Sequence, residues 1–171
     1  TGTRQDLPLV QRLALEQVLE ILQKHGFSAA QLDGSAIVVV HQVASPRDAA
    51  TGMAMLSPKG QWLMANPALC DFVGLSQEAL QEMTFMDISH PDEWDTDTEQ
   101  MQRLLDGEIA VYQRAKRYVH RDGHTVWGLA SISVVRAEDD TPQFVISQIV
   151  DITARKRAEE ALSLSNALME E

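Results

Sequence analysis

The dipeptide Asp122-Gly123 stands between two runs of alternating and β-branched residues, 111–121 and 125–135, and it constrains the fold more than any other feature. An Asp-Gly turn supplies the positive φ that a tight hairpin needs, because glycine has no Cβ to clash. Two long antiparallel strands are therefore expected. A third run, 143–150, follows a short connection at 137–141, so the C-terminal part reads as a three-stranded meander. In its first strand Tyr112, Arg114, Lys116 and Tyr118 alternate with Gln113, Ala115, Arg117 and Val119. Basic residues on such a strand read as solvated or ion-paired charges, not as contacts to nucleic acid.

Upstream the rhythm is short. Residues 53–56 and 61–65 are candidate strands around the turn Pro58-Lys59-Gly60. Asn66 is placed to cap a helix opened by Pro67, with Ala68, Leu69, Phe72 and Val73 as its apolar face and Gly74 as its stop. Ser76 caps a further turn that carries Glu78 and Ala79. A helix over 97–105 ends at Gly107 and turns Met101, Leu104 and Leu105 inward. Two strands, several short helices and three strands imply an α+β fold, a five-stranded antiparallel sheet with short helices on one face.

Both flanks read as helical. Asp6, Pro8 and Gly26 bracket an N-terminal helix whose stripe is Leu9, Val10, Leu13, Ala14, Val18, Ile21 and Leu22. Leu9, Leu13, Val18 and Leu22 either pack on their own domain, form a dimer, or dock a partner protein. Ser28 to Gln31 reads as a capped turn, Asp33-Gly34 as another turn, and 36–43 as a strand. The expected organisation is an extension over 1–43, a domain over 44–153 and the start of a helix over 154–171.

Composition narrows the function. A formal charge of -11 argues against nucleic acid, which demands clustered Lys and Arg. The lone Cys70 leaves no internal disulfide and fits a reducing cytoplasm. No run approaches the roughly 18 apolar residues of a membrane span. The chain begins at Thr1 and reads as a soluble, cytoplasmic piece of a longer protein, without direct membrane contact. Asp92, Glu93, Asp95, Asp97 and Glu99 are dense, but they open a helix, where acids favour the dipole. No Ser-His-Asp grouping or phosphate loop appears, and no His, Cys or carboxylate set shows metal-ligand spacing. Neither catalysis nor a metal is expected.

The ordered motifs resemble the PAS family with its C-terminal PAC motif. They are Gly52-Met53-Ala54, Asn66-Pro67-Ala68, the run from Gly74 to Leu80, the run from Phe85 to Glu93, the run from Lys116 to Gly123 with Val126-Trp127, and Ile149-Val150-Asp151-Ile152-Thr153. The second half is most similar to PAS domains attached to bacterial cyclic-di-GMP proteins of the GGDEF and EAL classes, with histidine-kinase PAS domains close behind. Leu75, Trp62, Ala115 and Asp139-Asp140 depart from the usual pattern: Ala115 removes an ion-pair partner for the basic strand, and Asp139-Asp140 strains or lengthens its loop.

The resemblance implies a signal-binding regulatory domain, with the ligand between the inner sheet face and the central helices. On that basis the site residues are Met101, Leu104, Leu105, Ala115, Ala130, Ile132, Ser147 and Ile149. Small Gly128, Ala130, Ala115 and Ser147 leave room for a ligand unless neighbours fill it. The implied signal is a small apolar molecule, fatty-acid-like by analogy. No cofactor is expected: the helix over 97–105 has no His for haem, His90 reads as a cap, and Cys70 lies outside the helix that covalent flavin chemistry needs. The signal leaves through Asp151, Thr153 and Arg155, the first two capping the last helix and Arg155 pairing with Asp151. Ala158, Ala161, Ser165 and Leu168 form either the seam of a homodimeric coiled coil or the face of a helix lying on the sheet. The alternative function is a ligand-free dimerisation and interaction module.

Overall fold

In this computed structural model the described residues are 27–33, 36–42, 51–137 and 139–169. They belong to two compact units, Thr1–Ala49 and Ala50–Glu171. In the first, β1 (Phe27–Asp33) pairs antiparallel with β2 (Ala36–Gln42), closing at Asp33 opposite Ala36. Residues 28–31, expected as a capped turn, are strand instead, because the ladder to β2 takes up backbone groups that a cap would have used. The expected helical stripe of Leu9, Leu13, Val18 and Leu22 lies outside the described residues.

The second unit runs β3 (Thr51–Leu56), β4 (Trp62–Ala65), α1 (Pro67–Val73), α2 (Gln77–Gln81), a 3-10 turn (Pro91–Glu93), α3 (Trp94–Leu105), β5 (Val111–Val119), β6 (Thr125–Arg136), β7 (Pro142–Asp151) and α4 (Thr153–Met169). Its five strands lie in the order β4-β3-β7-β6-β5, every neighbour antiparallel. The expected α+β fold is present. Leu56, Leu69, Val73, Leu80, Ile88, Leu104 and Val145 are each no more than 2% exposed and form the core. Burying each such side chain contributes about 1.5–3 kcal/mol.

Local chemistry fixes the helix entries. Asn66 accepts the Leu69 N–H at 3.0 Å as cap, accepts the Met53 N–H at 2.9 Å, and donates to the Thr51 carbonyl at 3.0 Å. One side chain thus starts α1 and ties it to β3. Gly74 ends α1 in the left-handed region at φ 72°, where a Cβ would stand 2.5 Å from the His120 ring. Arg136 closes α3 from the sheet, donating to the carbonyls of Leu104 at 2.8 Å and Leu105 at 2.7 Å. A cation at a helix C-terminus is favoured by the dipole. The same guanidinium donates to the Asp140 carbonyl at 2.8 Å, and Asp140 takes φ 66°, as the strained-loop reading expected.

Helix α4 has no buried residue among those described, and Leu162, Leu164, Leu168 and Met169 are 64–78% exposed. It does not lie on the sheet. Among the described residues no helix is long and apolar enough to cross a membrane.

Candidate functional site: a buried charge centre under the sheet

The alternation along β5 decides the site. Tyr112 and Tyr118 are buried, so Arg114 and Lys116, at the same parity, also face inward. Helix α3 and the 3-10 turn set carboxylates above them. Lys116 Nζ meets Asp97 Oδ2, donates to Ser89 Oγ at 2.8 Å, and lies 4.6 Å from the Tyr118 ring centroid. Arg114 bonds Glu93 Oε2 and stands 3.7 Å from Asp97 Oδ1. Arg117, on the other parity, reaches round to Glu93 Oε1 at 2.9 Å and to Asp92 at 3.3 Å. The backbone stitches the same segment down: Val119 N–H donates to Ile88 O and His90 N–H to Arg117 O.

Lys116 and Asp97 side chains are only 3% and 4% exposed, so each charge is held by the other and not by water. Burial pulls the Lys116 ammonium below the ordinary lysine range, against the opposing charge and hydrogen bond of Asp97. Burial pushes Glu93 up, but hydrogen bonds from the Arg117 side chain and backbone, with the Arg114 charge, outweigh it and hold the carboxyl below its ordinary range. Burial also raises both tyrosines, Tyr118 far above its usual range.

Beside this centre is a cavity of about 20 Å³ between α3 and the inner sheet face. That is room for about one water. Met101, Leu104, Ile132, Ser147 and Ile149 line it as expected, together with Trp62, Asp97, Tyr112 and Lys116. Three of the expected residues behave differently. Ala115 faces the opposite side of the sheet, since its parity is that of Gln113 and Arg117. Leu105 packs against the core at the end of α3 without lining the cavity. Ala130 is fully buried on the inner face, opposite Arg114, but is also not among the lining residues.

The room that small residues seemed to leave is filled. A Cβ on Gly128, opposite Lys116, would stand 2.6 Å from Ile149 Cγ2 and 2.8 Å from Tyr118 Cε2. The cavity's polar groups are not all satisfied: Trp62 Nε1, Asp97 Oδ1 and the Tyr112 hydroxyl are buried without a hydrogen-bond partner. Such groups cost free energy unless a water or ligand meets them.

Sequence reading missed Lys116, Arg114, Asp97 and Glu93. The signal was present: two tyrosines six residues apart, in parity with the cations between them, and two acids four apart across the 3-10 turn and the start of α3. The cations are ion-paired, one of the two readings of the basic strand, but reading the acids as dipole partners hid where the pairs form. The ion-pair partner that Ala115 was thought to remove comes from α3 instead.

Trp127 joins this centre to α4. Its ring lies 5.8 Å from the Arg117 guanidinium and 5.1 Å from Lys156 Nζ. Its backbone N–H donates to Thr153 Oγ1 at 3.0 Å, and its carbonyl accepts the Ile152 N–H at 2.9 Å. Asp151 Oδ1 accepts the Thr153 N–H at 2.9 Å, capping the helix as expected. Thr153 gives its hydroxyl to Trp127, not to its own helix. Arg155 pairs with Glu159 one turn on at 3.4 Å and not with Asp151, whose carboxylate is taken up by the cap.

Elsewhere His90 Nδ1 accepts the Asp92 N–H, the capping role expected of it. Burial, then the Asp71 and Glu78 charges, push the Cys70 thiol up, away from a reactive thiolate. One group contradicts the expectation that no metal-type cluster exists. His120, Asp122 and His124 bring their ligand atoms within 4.8 Å of one another, because the hairpin folds alternate residues onto one edge.

The family model described as "PAS fold" matches residues 63–149. The chain is 45% identical over 111 residues to the probable diguanylate cyclase DgcE of Escherichia coli (strain K12), covering 65% of this chain and 10% of that protein. It is 30% identical over 116 residues to the sensor histidine kinase TmoS of Ectopseudomonas mendocina, covering 68% and 12%. The chain thus spans about a tenth of the length of these relatives. Among solved structures it is similar to a sensory box histidine kinase/response regulator from Burkholderia thailandensis E264, with TM-score 0.59 at 22% identity over 72% of this chain and 93% of that one. The N-terminal domain of a diguanylate cyclase with PAS/PAC sensor from Marinobacter aquaeolei gives TM-score 0.54 at 19% identity, covering 62% and 98%. At such identities the structural likeness concerns the fold.

Proposed function

The chain belongs to the PAS-fold family, and on that premise we propose that it is a non-catalytic sensory module whose buried charge centre receives a signal that α4 carries to an output domain. The observation that supports this is the unbroken route from Lys116 and Asp97 through Arg114, Glu93 and Arg117 to Trp127 and the Thr153 turn of α4. Two states of the centre that differ in the Glu93–Arg117 pairing would present Trp127 differently to α4. A ligand drives such a shift only through different affinity for the two states. The relatives' names make cyclic-di-GMP synthesis the output we infer first, with a kinase second.

The ligand is a small molecule with a polar group that bonds Asp97, Tyr112 or Trp62, and α3 moves to admit it. A fatty-acid-like signal fits the apolar lining of Leu56, Phe85 and Met101 but needs far more room than about 20 Å³. That small volume is also what favours the second reading, a ligand-free module that dimerises through the exposed Leu162 and Leu168 of α4.

Amide hydrogen exchange on the full chain tests the relay. Lys116→Met should change protection at residues 127 and 153–157, and adding Thr153→Val should stop the change from reaching α4. Unaltered exchange in α4 with Lys116→Met would remove the proposal. Mass spectrometry of denatured extracts reads out the ligand directly, and an empty protein supports the second reading.

A further inference from the structure

The tip of the β5–β6 hairpin holds a second polar cluster, outside the sensory centre. His120 Nδ1 lies 3.1 Å from Asp122 Oδ1, and His124 Nδ1 meets the same oxygen. The two imidazoles stack with centroids 4.5 Å apart and planes 26° apart, so both nitrogens converge on one carboxylate. The His120 ring is placed by its packing: its Cε1–Nε2 edge occupies the space where Gly74 has no side chain, which leaves Nδ1 facing the turn.

A backbone hydrogen bond adds a second observation. His120 Nδ1 accepts the Asp122 backbone N–H at 3.3 Å, which uses that nitrogen as a lone-pair acceptor. The same nitrogen stands 3.1 Å from a carboxylate oxygen, a contact that is favourable when a ring proton or a metal ion lies between the two atoms. A metal ion in that place would be met by Nδ1 and the carboxylate together. Two imidazole nitrogens and one carboxylate suit zinc and its first-row neighbours, whereas magnesium and calcium prefer oxygen alone.

We propose that His120 Nδ1, His124 Nδ1 and the Asp122 carboxylate form a binding site for a divalent transition-metal ion, zinc above all, with a remaining coordination position left to water. The half-exposed His124 ring and the exposed Asp122 carboxylate close by small rotations around the packed His120 ring to the ~2.0–2.1 Å that zinc–imidazole bonds require. A bound ion would brace the hairpin against α1, to which it is already tied by the Arg121 N–H to Val73 carbonyl bond at 2.9 Å. The tip is three residues from Trp127, so the ion would bias α4 from outside the pocket. That last effect rests on the relay proposed above; the binding does not.

Isothermal titration of the full chain with zinc chloride, paired with the visible spectrum of the cobalt complex, tests the site. One ion per chain is expected, with affinity falling at least ~10-fold in His124→Ala and in Asp122→Asn. His124 is largely exposed, so its replacement should leave the fold intact, and His124→Gln repeats the test with side-chain bulk kept. Unchanged affinity in these variants would assign the zinc to other histidines and overturn the site. Absence of binding at millimolar zinc would also overturn the site. Loss of zinc binding in His124→Ala with unchanged α4 exchange would keep the site and remove only its coupling to the relay.

Discussion

Strand β5 and the turn that follows carry two charged clusters within ten residues of each other, and their surroundings differ. In the middle of the strand Lys116 and Asp97 are at most 4% exposed, under a layer of helix. At the tip His120, Asp122 and His124 are 22–61% exposed. Water screens the tip, so its contacts contribute little to stability and are free to be exchanged for a ligand. The middle is almost closed to bulk solvent, so its charges depend on one another, and removing one leaves the other poorly compensated. The contrast separates a part of the molecule that must stay paired from a part that can bind.

Breaking the middle should produce the largest effect. Lys116→Met leaves buried Asp97 with only the more distant Arg114, 3.7 Å away, and should cost about 3–5 kcal/mol in urea unfolding. The double variant Lys116→Met with Asp97→Leu should recover most of that loss, since the cost lies in the unpaired charge. A single-variant loss under about 1 kcal/mol would place the middle of β5 in the same class as the tip.

Gly128 tests the packing that encloses the centre. Gly128→Ala puts a methyl group 2.6 Å from Ile149 Cγ2, and overpacking of this kind costs about 1–3 kcal/mol. A neutral or stabilising result would mean the inner face has space that Tyr118 and Ile149 do not fill, and would revive the spacious pocket expected from the small residues.

Acid gives a smaller, graded effect. The Glu93 carboxyl titrates below its ordinary range in the folded protein, so the unfolded chain binds its proton first as pH falls. Its stabilising contribution is complete above the ordinary glutamate range and is lost as pH drops through the folded value. The urea midpoint should therefore fall between about pH 5 and pH 3, and Glu93→Gln should flatten that part of the curve. An equally steep fall in the variant would assign acid sensitivity to other carboxylates.

The fold was legible where local chemistry and pattern agree. Asp122-Gly123, Asn66-Pro67 and the alternating runs carry turn, cap and strand information within a few residues, and the five strands lie within about two residues of expectation. The charge centre was not legible because its pairs lie 19–24 residues apart, brought together only when α3 crosses β5. Parity along β5 should have excluded Ala115, since Tyr112 and Tyr118 claim the inner face. The tip cluster was hidden differently: spacing rules for metal ligands favour helices and loops, whereas here a hairpin edge aligns every second residue. Arg155 failed for a local reason, because the cap consumed the carboxylate it was meant to meet.

The smallest predicted effect is the sharpest test of the contrast. His124→Ala removes a contact to Asp122 that resembles the Lys116–Asp97 pair in geometry, yet without added metal its stability should stay within about 0.5 kcal/mol of the parent. Asp122 is 61% exposed, so water replaces the lost imidazole at once. Added zinc should then separate the two proteins: ligand that binds only the folded state raises stability by about 2.7 kcal/mol at a hundredfold excess over Kd, and the variant should miss most of that rise. Thermal melts of both proteins with and without zinc measure all four states. A large loss in His124→Ala before zinc is added would make the tip a structural pair like the middle of the strand, and the difference between the two clusters would then lie in position alone.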